Sequence, residues 1–172
     1  IVFDVKSGDA AFLPEHGLAR DLAGKLVEIS RGLGLEASAL LTDMDQPLGR
    51  AVGNALEIRE AVDTVRGDGP DDFTELVLDA CARLLALSDL GIDAVEGRRR
   101  AEAAVADGAA YEVYERWIRA QGGEPSLDAL EEAPVQVSVP APRDGIVMHV
   151  GALAVGHAAL DLGAGRRTKA YP

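Results

Sequence analysis

The first 42 residues constrain the fold most, because two apolar runs flank one amphipathic segment. Residues 1–6 are apolar and β-branched, which predicts a buried strand, and residues 37–42 predict a second one. Between them, a helix is predicted to begin near Pro14 and to end at Gly32–Gly34. Its predicted apolar face carries Leu18, Leu22, Leu26, Ile29 and Leu33. A strand, a helix and a strand in about 40 residues are typical of the parallel crossover unit of α/β folds.

The loop after the second strand is a candidate site. Residues 43–50 are polar and lie at the carboxyl end of that strand, where open α/β sheets bind their ligands. A helix follows, with Ala51, Ala55, Ile58 and Val62 on its apolar face. Turn carbonyls and a helix carboxylate would form an oxygen cage for potassium, calcium or magnesium. In the alternative, which the spacing alone favours, Asp43 or Asp45 caps the turn, and Glu57 and Glu60 form a solvated face beside Arg50 or Arg59.

A second candidate lies on the first strand, where Asp4 and Lys6 share one face near the carboxyl end. This position is functional in many α/β enzymes. A structural ion pair that closes the end of the sheet is an equally good interpretation. The three histidines, His16, His149 and His157, lack metal-ligand spacing, so we interpret them as surface or packing residues.

The rest of the chain predicts helices and then a junction. Three helices follow Asp71, and the last carries Tyr111, Tyr114 and Trp117 as core residues. Residues 134–142 are rich in proline and predict an edge strand or a linker. Residues 143–150 predict a turn and a strand, and residues 153–162 predict a helix that residues 163–167 cap. We therefore expect two units, residues 1–133 and 134–172.

Composition excludes several classes of protein. The 172 residues include 17 Lys and Arg but 29 Asp and Glu, a net charge of −12, which argues against nucleic acid or an anionic membrane as partner. Cys81 is the single cysteine of the chain, so a disulfide within the chain is excluded and a cytoplasmic location is expected. No apolar run approaches the roughly 20 residues of a membrane helix. Because the chain opens on an apolar run without an initiator methionine, we expect it to be a piece of a longer protein.

Residues 40–61 resemble the thymidine and pyrimidine-nucleoside phosphorylase family over a long and specific match. The resemblance extends to Asp4-Val5-Lys6 with Phe12, to residues 120–123 and to residues 162–166, in the family's order. It therefore covers nearly the whole chain and identifies it as a middle to C-terminal part of such a protein.

The resemblance implies a pentosyltransferase. Members of this family reversibly cleave thymidine, deoxyuridine or uridine with inorganic phosphate, giving the free pyrimidine and the pentose 1-phosphate, and they form homodimers. By this likeness, residues 1–133 would be the second half of a large mixed-sheet α/β domain with covering helices. Residues 134–172 would be a linker and the truncated start of a C-terminal α+β domain. The family's base-binding and phosphate-binding residues precede Ile1, so no catalytic residue is expected here and the isolated segment should be inactive.

The resemblance also implies binding residues. A structural potassium ion would be held by the carbonyl groups of Leu48 and Ala51 and the carboxylate of Glu60, which would leave Glu57 facing solvent. Phe12 and Lys6 would belong to the substrate pocket, with Phe12 as an apolar wall for the base. Many members have a small residue where this chain has Asp9, so we expect an extra carboxylate near the mouth of the site.

Two other functions stay open at this point. One is a non-catalytic ion-binding or interaction protein that keeps the fold without the nucleoside site. The other is phosphorolysis of a nucleoside monophosphate, against which the acidic composition argues mildly.

Overall fold

A two-stranded parallel sheet anchors the computed structural model, which describes residues 1–165. Strand β1 (Val2–Ser7) pairs with β2 (Ser38–Asp43), with Val2 opposite Ser38 and Ser7 opposite Asp43. Helix α1 (His16–Gly32) connects them, as the crossover pattern predicted. Because parallel strands end at the same edge, the loops that follow β1 and β2 lie side by side. The predicted α/β class is confirmed.

Small residues bring α1 against the sheet. Ala19 and Ala23 are buried against Val5, and partly buried Phe3 and Leu41 pack around them. The predicted apolar face of α1 is wrong for most of its members: Leu18, Leu22, Ile29 and Leu33 are exposed, whereas Leu26 packs against the core. Alanine side chains allow the helix to approach the strands more closely than leucine side chains would. The face of α1 that packs on the sheet is therefore the one with the small residues, and the face with most of the leucines points away from the sheet.

A group of four helices comes next in the chain: α2 (Asn54–Arg66), α3 (Asp71–Ala86), α4 (Ala94–Ala106) and α5 (Ala109–Ala120). Helix α3 packs most extensively against α4, and α5 contacts both α2 and α4. Val62, Leu78 and Ala82 are buried in this group. The prediction that Trp117 is a core residue is wrong, because the residue is 58% exposed among residues 1–165. Tyr111 and Tyr114 are partly buried and stack on each other at 5.8 Å between ring centroids.

A long irregular segment separates α5 from the last helix. A single 3-10 turn, Leu127–Ala129, is followed by residues 131–150 without helix or strand. For residues 134–142 the two predicted alternatives were an edge strand and a linker, and the structure shows the linker. The strand predicted within residues 143–150 is wrong, because no strand of the described residues pairs with it and Val147 remains 76% exposed.

The final helix, α6 (Ala152–Asp161), confirms the helix predicted for residues 153–162. Gly163 at φ +97° and a hydrogen bond from the Ala164 amide to the Ala159 carbonyl, 2.9 Å long, end the helix as predicted. The rest of the predicted cap, residues 166 and 167, lies outside the described residues. Within residues 1–165, no helix has the length and apolarity needed to cross a membrane.

Candidate ion and substrate site

Two carboxylates from different helices hold the turn between β2 and α2. The Arg50 amide donates to Oε1 of Glu60 on α2 at 2.8 Å. The preceding amide, that of Gly49, donates to Oδ2 of Asp72 at 3.0 Å, from the first turn of α3. Consecutive amides of this turn are therefore fixed from both sides.

Gly49 is required by the position of Glu60. Its φ of +69° lies in the left-handed region, and a Cβ added there would overlap the second carboxylate oxygen, Oε2. Glu60 thus lies directly against the turn and does not extend into solvent. The structural alternative paired Glu57 and Glu60 with arginine side chains, but the partner of Glu60 is the main-chain amide of Arg50, and the Arg59 guanidinium donates to the Leu130 carbonyl.

The three predicted ion ligands border one cavity of about 520 Å³. Leu48, Ala51 and Glu60 line it together with Lys6 from the end of β1. Glu57 also borders it, and the description of Glu57 as merely solvent-facing is incomplete, because its Oε1 accepts a 2.7 Å hydrogen bond from the Gly53 amide. The structure thus brings the predicted ligands to one place, while ion binding itself stays a prediction.

The chemistry of this donor set fits a potassium ion. Residues 1–165 contain no group of three His, Cys, Asp or Glu side chains suited to a metal. The predicted set is of another kind, with two main-chain carbonyls and one carboxylate, and carbonyl oxygens are the ligands that replace the hydration shell of potassium in proteins. Glu60 supplies the one charged group of this set, and its carboxylate lies against Gly49 and Arg50, between the two predicted carbonyl ligands in the chain.

The acid and the base of β1 form the predicted ion pair. Lys6 Nζ donates to Oδ2 of Asp4 at 2.6 Å, and the hydroxyl of Thr42 on β2 donates to Oδ1 of the same carboxylate. Asp4 therefore joins the two strands through side chains. Lys6 also borders the cavity, so the structural interpretation does not exclude a contact with a ligand.

Phe12 and Asp9 lie on the loop that follows β1. Phe12 is 95% exposed and is not among the residues that line the cavity. Its role as a wall of the base pocket stays a prediction. That Asp9 adds a carboxylate near the mouth of the site also stays a prediction. In the structure, Asp9 Oδ2 accepts a hydrogen bond at 3.0 Å from the amide of Leu153 in α6, a residue that lines the cavity.

Sequence reasoning missed two contributors to this site. Asp72 looked like an ordinary acidic residue in the first turn of a helix, and nothing in the sequence pointed to Gly49 as its partner. Helix α6 was assigned to a second unit, yet Leu153, Gly156 and His157 line the cavity. The rest of the lining is mainly apolar. Most of it comes from the loop after β2, from α2 and from α3, for example Met44, Ile58 and Phe73.

Comparison with known proteins identifies the family of the chain. Residues 1–111 match the family model described as glycosyl transferase family, a/b domain. The chain belongs to this family. The matched residues include both strands of the sheet, the turn and Glu60.

Curated relatives extend the match beyond this domain. The chain is 41% identical to the pyrimidine-nucleoside phosphorylase of Geobacillus stearothermophilus and 40% identical to that of Bacillus subtilis. A third relative, the pyrimidine-nucleoside phosphorylase of Staphylococcus haemolyticus, is 39% identical. Each alignment covers 98% of the chain and 40% of the relative. The chain thus spans about 40% of the length of the curated relatives it matches.

Proposed function

We propose that these residues are part of a pyrimidine-nucleoside phosphorylase, a pentosyltransferase that acts on thymidine, deoxyuridine or uridine. The observation that carries the proposal is the identity of 39–41% to proteins of that name over 98% of the chain. The site agrees with it, because the turn, Glu60 and Lys6 meet at the carboxyl ends of parallel strands, where α/β enzymes bind ligands.

In the proposed reaction, an oxygen of inorganic phosphate forms a bond to the anomeric carbon as the bond from that carbon to the base nitrogen breaks. The electron pair of the broken bond leaves with the base. The base gains the proton that hydrogen phosphate gives up in the net reaction, and the sugar becomes a pentose 1-phosphate. The sugar passes through an oxocarbenium-like state, so the enzyme must hold an anion, polarise the leaving base and exclude water.

Residues of this chain would position the parts of the site around the substrates. Glu60 and Asp72 fix the turn through the Arg50 and Gly49 amides, and Asp4 holds Lys6 at the edge of the cavity. The base-binding and phosphate-binding groups are proposed to come from residues that precede Ile1 in the full-length protein. Phe12 is proposed to contact the base when those residues are present.

We also propose a structural potassium ion at Leu48, Ala51 and Glu60. When bound, such an ion would rigidify the turn without polarising the substrate strongly, because its charge density is low. We also propose a homodimer, which the family likeness supports, and a cytoplasmic location, which the single cysteine supports.

The test is phosphate-dependent release of base by the full-length protein. Thymidine and uridine are incubated with and without inorganic phosphate, and base release is followed by ultraviolet absorbance. We expect release only when phosphate is present. Release from a nucleoside 5′-monophosphate alone would change the substrate class, and no release from any of the three by a folded protein would contradict the proposal.

A further inference from the structure

Helix α6 is held at its N-terminus by the loops that follow both strands. The Leu153 amide donates to Oδ2 of Asp9 at 3.0 Å, and the Ala152 amide donates to the Asp45 carbonyl at 3.0 Å. Amides in the first turn of a helix have no partner within that helix. Two of them are here satisfied by residues more than a hundred positions earlier in the chain.

The two loops are themselves joined, so the anchor of α6 is fixed. The Asp9 amide donates to Oδ1 of Asp45 at 2.8 Å, and the Ala10 amide donates to the Met44 carbonyl at 3.2 Å. Both bonds lie directly beyond the paired ends of β1 and β2. The carboxylate of Asp9 therefore has a defined place at the edge of the sheet.

The other end of this segment also meets the site. A Cβ added at Gly53, just before α2, would lie 2.7 Å from Cβ of Ala164, so the chain after α6 lies against the start of α2. In between, Leu153 and His157 line the cavity. The preceding residues, 131–150, form no helix or strand, so the contacts that α6 itself makes, including those of Asp9 and Asp45, place it.

We propose that Asp9 is a positioning residue that seats α6 as a wall of the cavity. A carboxylate suits this task because it accepts a hydrogen bond from the first turn and its negative charge is favourable at a helix N-terminus. The side chain acts on the ligand only through α6. That α6 then faces substrate or ion in this cavity rests on the proposed function, whereas the seating of α6 does not.

The first test measures the seating directly, by amide hydrogen exchange in α6 of the full-length protein. Loss of a side-chain cap costs about 1 kcal/mol, so Asp9→Ala should speed exchange at residues 152–155 about fivefold. Asp9→Asn keeps an acceptor and should restore most of the protection. A matched control is Asp93→Ala, because Oδ1 of Asp93 caps α4 by accepting from the Glu96 amide at 2.9 Å and does not border the cavity.

The control should speed exchange in α4 and leave α6 unchanged. Unchanged exchange in α6 of Asp9→Ala would overturn the seating, whatever the activity. The second test is steady-state kinetics with thymidine and phosphate. Asp9→Ala should raise KM about fivefold with a smaller change in kcat, Asp9→Asn should recover KM, and Asp93→Ala should leave it unchanged.

These readouts separate the two proposals. Faster exchange in α6 with an unaltered KM would overturn the role of α6 as a wall of the cavity. If the wild-type protein releases no base, the proposed function fails, and exchange alone decides whether Asp9 seats α6.

Discussion

At the scale of residues, Glu60 accepts a hydrogen bond from the Arg50 amide and is the proposed charged ligand of potassium, and two substitutions separate these two roles. Glu60→Gln keeps an acceptor for the Arg50 amide but removes the charge, so we expect stability within about 0.5 kcal/mol of wild type and a potassium requirement raised at least about tenfold. Glu60→Ala leaves that amide without its partner and should also destabilise by about 1–2 kcal/mol. Thermal unfolding measures the change in stability. Titration of phosphorolysis with potassium, with sodium as the replacement cation, measures the potassium requirement.

Glu57→Ala is the matched control for that pair. It removes a carboxylate from the same helix, but one that accepts from Gly53 and is not a predicted ligand. Potassium half-saturation should stay near that of wild type. A Glu60→Gln protein that responds to potassium as wild type does would contradict the ion site.

Another prediction at this scale concerns Glu96 on α4. Hydrogen bonds from the Arg99 and Arg100 side chains lower the pKa of Glu96 from its ordinary 4.5 to about 2. Since the pKa is lowered in the folded protein, these pairs stabilise it above pH 4.5, and the contribution disappears as the pH falls towards 2. Carbon-13 NMR of the Glu96 carboxyl should show this low midpoint, and Arg99→Ala should raise it. A wild-type midpoint near 4.5 would refute the pairing.

The contacts of single residues were the least predictable part of the site. The turn at 43–50 followed from local sequence. Spacing alone favoured a solvated Glu60, and only the family resemblance singled out its carboxylate as a group that faces the turn. Asp72 and Asp9 reach partners 23 and 144 residues away. Such pairings depend on how helices and strands pack against one another, and local sequence patterns do not specify that packing.

At the scale of elements, the sequence predicted the helices correctly, but it also predicted a strand at residues 143–150 that the structure does not have. Helices satisfy their own main-chain groups, so periodicity sufficed for α3, α5 and α6. Residues 143–150 have an apolar pattern typical of a strand, but a strand needs a neighbour for its hydrogen bonds, and none is present in residues 1–165. The buried stripe of α1 also depended on its partner, since alanines and not leucines face the sheet.

Packing of α2 gives a prediction for an element. Val62 is 1% exposed, whereas Val95 on α4 is 79% exposed. Val62→Ala should lower the free energy of unfolding by about 2 kcal/mol, because two buried methyl groups are lost and a cavity remains. Val95→Ala, the same change on a helix surface, should alter it by less than about 0.5 kcal/mol. Chemical denaturation of the full-length protein compares them, and equal losses would contradict the described packing.

At the scale of the whole molecule, three distant parts of the chain meet at one edge of the sheet. They are the loop after β1, the loop after β2 with the start of α2, and the first turn of α6. The sequence placed α6 in a separate unit, residues 134–172, because the proline-rich linker interrupts the pattern. The structure shows that α6 nevertheless contacts the edge of the sheet in the first unit.

Phosphorus-31 NMR of the full-length protein with thymidine and inorganic phosphate shows whether this edge of the sheet belongs to a phosphorolytic enzyme. We expect a pentose 1-phosphate resonance to grow as phosphate declines, in equal amount to the free base. Base release with free pentose and unconsumed phosphate would mean hydrolysis and would rule out phosphorolysis. The absence of any base release by the folded protein would contradict it as well.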